Sequence, residues 1–312
     1  MSAEAQAVVV PREADVFAAP LQRLEIANPE WAAFVASSAD ALPIHRPEWA
    51  QLLADCYRFE PFVLATRGAH DEIVAGLPVL AVGSALGRRR WISLPFTDHC
   101  PVLGCESVTT GSLLDRIDDA RAAAGASSLE LRSALGLTPA PAALGYRHVL
   151  ELGGDADAVY AGFHPSQVKR ALKRIDRDRE LTLRPAQKVE DLTRVFYGLH
   201  LSTRRRLGSP VQPRRFFELL WRRMIEPGLG SVLLAYAGPR PVAGAVFLRS
   251  GDRLLYKYAA SDPKAWGLRP NHLIIWEAIR AACATGVRSL DFGRTELAHE
   301  GLRNFKLSWG AR

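Results

Sequence analysis

The sequence lacks most of the features that assign a protein to a class directly. No apolar run approaches the roughly 20 residues that a membrane-spanning helix needs. The first twenty residues are more acidic than basic and do not resemble a secretory signal. There is no Walker loop, no GxGxxG phosphate loop and no GxSxG elbow for a serine nucleophile. We therefore expect no integral membrane segment, and we interpret residues 1–20 as a short mobile N-terminal segment.

Cysteine is also scarce, with four residues in a chain of 312. Cys56, Cys100, Cys105 and Cys283 form neither a CxxC pair nor the spacing of a disulfide framework. A zinc site built from His99, Cys100 and Cys105 is conceivable, but its spacing is poor, and we predict no bound metal. The cysteine usage favours the reducing cytoplasm as the compartment.

The positive charge is spread unevenly along the chain. Residues 1–150 hold 12 Lys and Arg against 17 Asp and Glu, a net charge of −5, whereas residues 151–312 hold 28 against 16, a net charge of +12. Such a change of sign between the halves favours two units with different roles. The basic half suggests an anionic partner, such as a phosphorylated cofactor, a lipid-linked phosphate or an RNA, unless it is only a solvated basic surface.

Strand and helix patterns are interleaved in both halves, which predicts an α/β (α+β) fold class. In the first half, helices over Pro29–Ser37 and Pro47–Tyr57 precede a hairpin, a further strand, a helix and two short strands. The second half has a basic helix, a strand, an amphipathic helix–loop–helix, three strands at short spacing, a helix and a last strand. We therefore predict an N-terminal domain over residues 21–152 and a C-terminal domain over residues 153–312.

Several phrases of the second half resemble one family of transferases. They are "SQVKRALKRIDRD", "HLSTRRRLGSPVQPRRFFELL", "SDPKAWGLRPNHLIIWEAI" and the closing "DFGR…GLRNFKLSWG". Together with the element order, these phrases resemble the FemAB-type peptidoglycan-bridge transferases and the BioF2-like acetyltransferases, which belong to the GNAT superfamily. The resemblance covers most of residues 151–312 and extends weakly to residues 40–110 through "HRPEW" and "LPFTDHCPVLG".

The resemblance implies tandem GNAT-like (acyl-CoA N-acyltransferase) domains, each a mixed sheet flanked by helices, with a groove between them. It also implies transfer of an acyl or aminoacyl group to an amine. The donor is then an acyl-CoA or an aminoacyl-tRNA used as co-substrate, with no resident cofactor. The expected acceptor is a small-molecule or lipid-linked amine of cell-envelope or exopolysaccharide metabolism. The chain stops at "WGAR", where such relatives continue, which predicts an incomplete sheet edge.

The resemblance also implies catalytic residues near the C-terminus. Lys306 matches the lysine of the family's Phe-Lys pair, where it stabilises developing negative charge, and we expect it to lie at the chemistry and outside the core. Asp291 ends the strand "SLDFG", where it can act as a base or hold Arg294. The alternatives are a surface lysine and a strand-end carboxylate that caps the following turn.

Arg269, Asn271 and His272 are the residues that we predict to bind the donor. They precede or open a helix, whose free N–H groups and dipole can cradle phosphates. The segment "WGLRPN" departs from the glycine-rich loop of ordinary GNAT enzymes, since it has one glycine and Pro270 lacks an N–H. That departure weakens the case for acetyl-CoA in particular.

A further set of residues is predicted to contact the acceptor: His200, Thr203, Arg204, Tyr258, Asp98, His99 and Arg294. His200 and Arg204 are one helical turn apart, so both can face a groove. Tyr256 and Tyr258 alternate with Lys257, which predicts both rings on one face of a strand. The alternatives are a core or surface histidine, tyrosines that only pack the sheet, and a turn-forming role for Asp98 and His99.

Two other functions stay open at this level. One is a FemAB-type aminoacyl-tRNA-dependent transferase for a peptidoglycan precursor, although the coiled-coil arm of many members has no counterpart here. The other is a non-catalytic GNAT-fold binding protein in polysaccharide export, which a filled or absent groove would favour. The basic helix "KRALKRIDRDR" fits either a phosphate-bearing acceptor or tRNA, or a solvated helix with internal ion pairs.

Overall fold

The computed structural model describes residues 21–83, 89–104, 110–133 and 145–312. The predicted mobile segment 1–20 and Cys105 lie outside these residues. Within the described part of the chain, every helix is too short or too polar to span a bilayer.

The chain divides into two compact units, and each is a mixed α/β layer structure. The first unit comprises residues 1–40 and 59–141, and its sheet has the strand order β1-β2-β3-β4-β5. The predicted hairpin is confirmed as the antiparallel pair β2–β3. The elements of this unit are β1 (Gln22–Glu25), α1 (Pro29–Ser37), β2 (Glu60–Arg67), β3 (Ile73–Gly83), β4 (Arg89–Ile92), α3 (Thr110–Ala123) and β5 (Ser128–Glu130).

The second unit comprises residues 41–58 and 142–312, with the strand order β6-β11-β10-β9-β8-β7. Single turns of π-helix adjoin α5, α6 and α7. The elements of this unit are α2 (Pro47–Tyr57), β6 (Gly145–Glu151), α4 (Ala156–Ala161), α5 (Arg170–Asp178), β7 (Leu181–Pro185), α6 (Tyr197–Arg206), α7 (Arg214–Leu220), β8 (Gly230–Ala237), β9 (Arg240–Ser250), β10 (Arg253–Ser261), α8 (Pro270–Ala284), β11 (Ser289–Glu296) and α9 (Glu300–Ser308).

Two segments that the sequence assigned to the first domain belong to the second unit by their contacts. Helix α2 packs on α7, where the Trp49 ring meets the edge of Phe216 with centroids 6.1 Å apart. Strand β6 is hydrogen-bonded to β11 in the second sheet. At the outer side of β6, Val149 exchanges two backbone hydrogen bonds of 2.9 Å with Arg312, the last residue. Residues 41–58 and 142–152 therefore join the second unit.

Helices cover both faces of the second sheet. Helices α4, α5, α8 and α9 pack on one face over an apolar core that includes Phe163, Ile275 and Trp309. Helices α6 and α7 pack on the other face, where Phe216 and Phe217 are fully buried. This arrangement confirms the predicted fold class of a mixed sheet flanked by helices.

A β-bulge in β10 overturns one prediction about side-chain direction. Tyr256 pairs with Phe247 and Tyr258 with Val246, so Lys257 is an extra residue without a partner position in β9. An extra residue reverses the alternation of the strand. Tyr256 therefore contacts Phe292 on the α8 face, while Tyr258 contacts His200 on the α6 face. The prediction that both rings share a face was wrong.

The two parallel strands of the sheet separate towards their carboxyl ends. Strands β10 and β11 are paired only from Arg253–Ser289 to Leu255–Asp291. Beyond this point β10 stays paired with β9 up to Ser261, and β11 stays paired with β6. Helix α8 connects the two strands, so its N-terminus lies at the end where they diverge. Ligands of open α/β sheets bind at such carboxyl ends.

Candidate functional site

The motif Asp291-Phe292-Gly293 forms a second bulge, in β11, where the strand leaves its partner. The register of β11 against β6 shifts between Asp291 and Arg294. Gly293 has φ +72°, a conformation that costs glycine little and other residues more. The Asp291 Oδ1 accepts a 2.7 Å hydrogen bond from the Gly293 N–H, which closes the turn. The predicted turn-capping alternative for Asp291 therefore describes its geometry.

Asp291 also binds a cation, and the partner is one that sequence reasoning missed. Its Oδ2 accepts 2.8 Å contacts from both Nε and a terminal nitrogen of Arg147 on β6. Both nitrogens therefore bind one carboxylate oxygen, which holds Asp291 at the edge of the Arg147 guanidinium by charge-assisted hydrogen bonds. Arg294 was the predicted partner of Asp291. In this bulge the backbone carbonyl of Arg294 accepts a hydrogen bond from Lys306, and the side chain of Arg294 is exposed.

Lys306 binds the same bulge from α9. Its Nζ donates hydrogen bonds of 3.0 Å to the Gly293 carbonyl and 3.1 Å to the Arg294 carbonyl. The residue is only 4% exposed. The expectation that Lys306 lies outside the core was wrong, because the bulge turns two carbonyl groups inward and the ammonium satisfies them. The motif pair "DFG" and "FK" is therefore joined in space.

His148 is a buried imidazole in this region and was not among the predicted site residues. It is 2% exposed, and within the described chain neither ring nitrogen has a hydrogen-bond partner. Burial lowers the pKa of His148, and the charges of Lys306 and Arg303 lower it further, against an opposing effect of Asp291. The ring is therefore neutral at pH 7. No motif marks it, since it is one residue of an ordinary strand pattern.

A cavity of about 370 Å³ lies at the N-terminal end of α8. Two of the predicted donor-binding residues, Arg269 and His272, line it, together with Arg170 and Arg174 of α5. Residues of α9, including Asn304 and Phe305, form another wall. Arg174 is paired with Asp178 at 3.1 Å, whereas the guanidinium groups of Arg170 and Arg269 form no ion pair within the described residues. The cavity is therefore strongly cationic.

The backbone at the start of α8 offers less to an anion than the sequence suggested. Pro270 has no N–H, and the N–H groups of His272 and Leu273 both point to the Arg269 carbonyl, at 3.0 and 3.5 Å. Asn271 is half-buried and does not line the cavity. The prediction of an amide cradle is corrected accordingly: side-chain guanidinium groups supply the positive charge here.

His272 is 7% exposed, with its ring against Phe305 and Trp309. Burial lowers its pKa to about 4, helped by the Arg269 charge and opposed by a hydrogen bond to the Gln167 backbone. The folded protein therefore holds His272 neutral near the cavity.

This burial predicts a pH dependence of stability. Between pH 6.5 and about 4 the unfolded chain protonates His272 and the folded chain does not, so the free energy of unfolding falls as the pH falls. The loss is on the order of 3 kcal/mol. Urea unfolding at pH 7 and pH 4.5 should show a smaller difference for His272→Gln than for the parent. The exposed His70→Gln is the control, and an equal pH effect in His272→Gln would contradict the assignment.

The predicted acceptor residues on α6 belong to a packed cluster. His200 is 1% exposed, stacks on Phe196 and contacts Phe217 and Tyr258. Its Nε2 lies 3.0 Å from the Gln212 Oε1, and burial lowers its pKa. The Thr203 Oγ1 accepts a 3.3 Å hydrogen bond from the Ser261 N–H. Within this set, only Arg204 is half-exposed. The core interpretation of His200 fits its surroundings.

Asp98 and His99 are distant in the chain from the other predicted acceptor residues and lie in the loop that follows β4 of the first unit. Asp98 is exposed and His99 is half-buried. Cys100 next to them is fully buried, which raises its pKa and keeps it a thiol. Among the described residues no three His, Cys, Asp or Glu side chains are grouped as metal ligands.

Residues 163–306 match the family of the acetyltransferase (GNAT) domain. The match contains α5, α8, β10, β11 and most of α9, and thus the cavity, the divergent strands and the β11 bulge. Comparison with curated protein sequences gave no match.

Solved structures with the same fold extend over nearly the whole chain. FemX superposes with a TM-score of 0.67 at 16% identity, covering 93% of this chain and 94% of its own. L-PGS from Bacillus licheniformis gives 0.55 at 14% identity, with 93% and 90% coverage. A tandem GNAT protein from the clavulanic acid biosynthesis pathway gives 0.54 at 11% identity, with 94% and 95% coverage. At these identities the likeness establishes a tandem GNAT-like fold.

Proposed function

Since the chain is an acyltransferase of the GNAT superfamily with a FemAB-like tandem fold, we propose that it transfers an acyl group from an acyl-CoA thioester to an amine. The observation that carries the proposal is the cationic cavity at the N-terminus of α8. It lies within the segment that matches the acetyltransferase domain, at the end of the sheet where β10 and β11 separate.

The cavity suits a donor that carries several phosphates. Guanidinium groups bind phosphate oxygens in a planar, two-point geometry, and among the described residues no carboxylate is paired with Arg170 or Arg269 to compete with a ligand. The walls are partly apolar through Ala171 and Phe305, which fits the organic portion of such a donor. The predicted departure from a glycine-rich loop is thus offset by side chains, and acyl-CoA remains compatible with this site.

The reaction needs a neutral amine, a stabilised oxyanion and a protonated leaving group. The amine nitrogen attacks the thioester carbonyl carbon, and the carbon–sulfur bond breaks. The proton that the amine loses is transferred to the thiolate leaving group, directly or through water. We propose the reaction centre beside the β11 bulge, because the strands are unpaired there and Lys306 supplies a positive charge. Catalytic roles for Lys306 and Asp291 remain part of this proposal.

For the acceptor, we propose an amine of cell-envelope or exopolysaccharide metabolism, either a small molecule or a lipid-linked compound. The net charge of +12 on residues 151–312 favours an acceptor that bears phosphate or carboxylate groups. The exposed guanidinium groups of the cavity favour an enzyme that binds a phosphorylated donor over the non-catalytic alternative.

Thermal unfolding with different donors tests the proposal. Acetyl-CoA and free CoA should raise the melting temperature by several degrees at about 100 times their Kd, because a ligand of the folded state stabilises it by about 2.7 kcal/mol. The S-acetyl thioester of N-acetylcysteamine, which has the thioester and no phosphate, should give no shift. A shift with charged tRNA alone would overturn the acyl-CoA assignment in favour of an aminoacyl donor.

A further inference from the structure

An exposed aromatic and aliphatic surface joins the end of α6 to the segment that precedes α8. Trp266 is 47% exposed and Leu207 is 57% exposed. The two segments are fixed together, because the Arg206 guanidinium lies 5.0 Å from the centroid of the Trp266 ring. The Trp266 Nε1 also donates to the Ser261 Oγ at 2.9 Å, and the Ser261 N–H binds Thr203 of α6. Trp266 is therefore held in an exposed position.

The surroundings of these two apolar residues are cationic. Arg205, Arg206 and Lys264 are all exposed beside them in the chain. From residue 192 to residue 217 the sequence contains six arginines and no acidic residue. A groove of about 440 Å³ next to Lys264 adds Arg194 to the same end of the sheet, where Arg240 is paired with Asp262 at 3.1 Å.

We propose that Arg205, Arg206, Leu207, Lys264 and Trp266, named the Trp266 surface, dock the protein on an anionic lipid bilayer. Arginine and lysine bind lipid phosphates, and each contributes to adsorption on a negatively charged leaflet. Tryptophan sits at the headgroup level, and a neighbouring leucine enters the acyl boundary. The proposal concerns where the protein resides and does not depend on the identity of the acyl donor.

The composition of the surface favours lipid over RNA. An RNA-binding surface uses aromatic rings as stacking platforms for bases. Here one face of the Trp266 ring is already covered by Arg206, and the most exposed apolar side chain is the aliphatic Leu207. An exposed leucine next to two exposed arginines in the chain can enter the acyl boundary of a bilayer, whereas it adds nothing to the binding of a polyphosphate.

Co-sedimentation of the full chain with large unilamellar vesicles tests this docking. We expect binding to vesicles of phosphatidylcholine with 30 mol% phosphatidylglycerol and none to phosphatidylcholine alone, with the partition coefficient falling in 0.5 M NaCl. Arg205→Gln/Arg206→Gln should lower the partition coefficient about 25-fold, from roughly fivefold for each arginine. The matched control, Arg280→Gln/Arg288→Gln, has the same net charge and alters exposed arginines on and after α8.

Two further variants test the apolar side chains of the Trp266 surface. Leu207→Ser and Trp266→Ser should each reduce vesicle binding severalfold, whereas Leu302→Ser on α9, which is 46% exposed in the parent, should not. Leu207→Ser should keep the parent's melting temperature, so its binding defect cannot come from unfolding. Absence of vesicle binding, or binding that the control pair weakens equally, would overturn the proposal. So would tighter binding to a 20-nucleotide RNA with no effect of Leu207→Ser.

Discussion

Lys306→Met should lower the free energy of unfolding of the second unit by about 2–4 kcal/mol, as expected for buried carbonyls that lose a charged donor. Methionine fills a similar volume and has no hydrogen-bond donor, so the carbonyl groups of Gly293 and Arg294 would lose the hydrogen bonds from Lys306. Urea unfolding followed by circular dichroism measures the change. Lys173→Met on the exposed side of α5 is the matched control and should leave the midpoint unchanged.

The same variant separates the structural and catalytic roles of Lys306. Activity is measured at a temperature at which the variant is fully folded. If the ammonium also stabilises the oxyanion, kcat should fall at least ~100-fold, as when a single oxyanion donor is removed. If it only supports the bulge, kcat per folded molecule should stay within a few-fold of the parent. An unchanged unfolding midpoint would contradict the contacts that bury this side chain.

Reversing the charge of the cavity should have the second largest effect. Arg170→Glu/Arg269→Glu should weaken acetyl-CoA binding at least ~100-fold, since each charged hydrogen bond is worth about 1.5–3 kcal/mol. Isothermal titration calorimetry measures the Kd. Both side chains are exposed and outside ion pairs of the described chain, so the fold should survive. Lys173→Glu/Arg280→Glu makes the same change in net charge outside the cavity lining. A Kd within threefold of the parent would contradict the donor site.

Much of the fold could be predicted from the sequence because the elements are locally encoded. The first two helices were predicted with the bounds that the structure has, since Pro29 and Pro47 open them at positions where proline is tolerated. The three antiparallel strands β8, β9 and β10 followed from short apolar runs with turn residues between them. Periodicity and turn chemistry act over a few residues, so both are visible in sequence.

The site was less predictable because both of its strands break the period of two. The bulges at Lys257 and at Phe292–Gly293 depend on which residue of the neighbouring strand stands opposite, and that register is a tertiary property. The burial of Lys306 follows from the second bulge. Arg147 was missed for the same reason, since it meets Asp291 only through the pairing of β6 with β11. The resemblance to the family identified the phrases "DFG" and "FK", and the structure shows that Lys306 binds the carbonyl groups of the bulge in β11.

The assignment of α2 to the second unit has a consequence for synthesis on the ribosome. Arg223 donates to Asp55 at 3.1 Å and to Gln51 at 2.8 Å, and the first of these contacts spans 168 positions of the chain. Helix α2 therefore leaves the exit tunnel long before the synthesis of α7, which covers Trp49, and of the π-helical turn after α7, which carries Arg223. Strand β6 likewise cannot pair with β11 until the C-terminal part of the chain has been synthesised. The first unit can fold during translation, whereas the second unit is completed only when translation is almost finished. The apolar face of α2 is therefore exposed to aggregation in the interval.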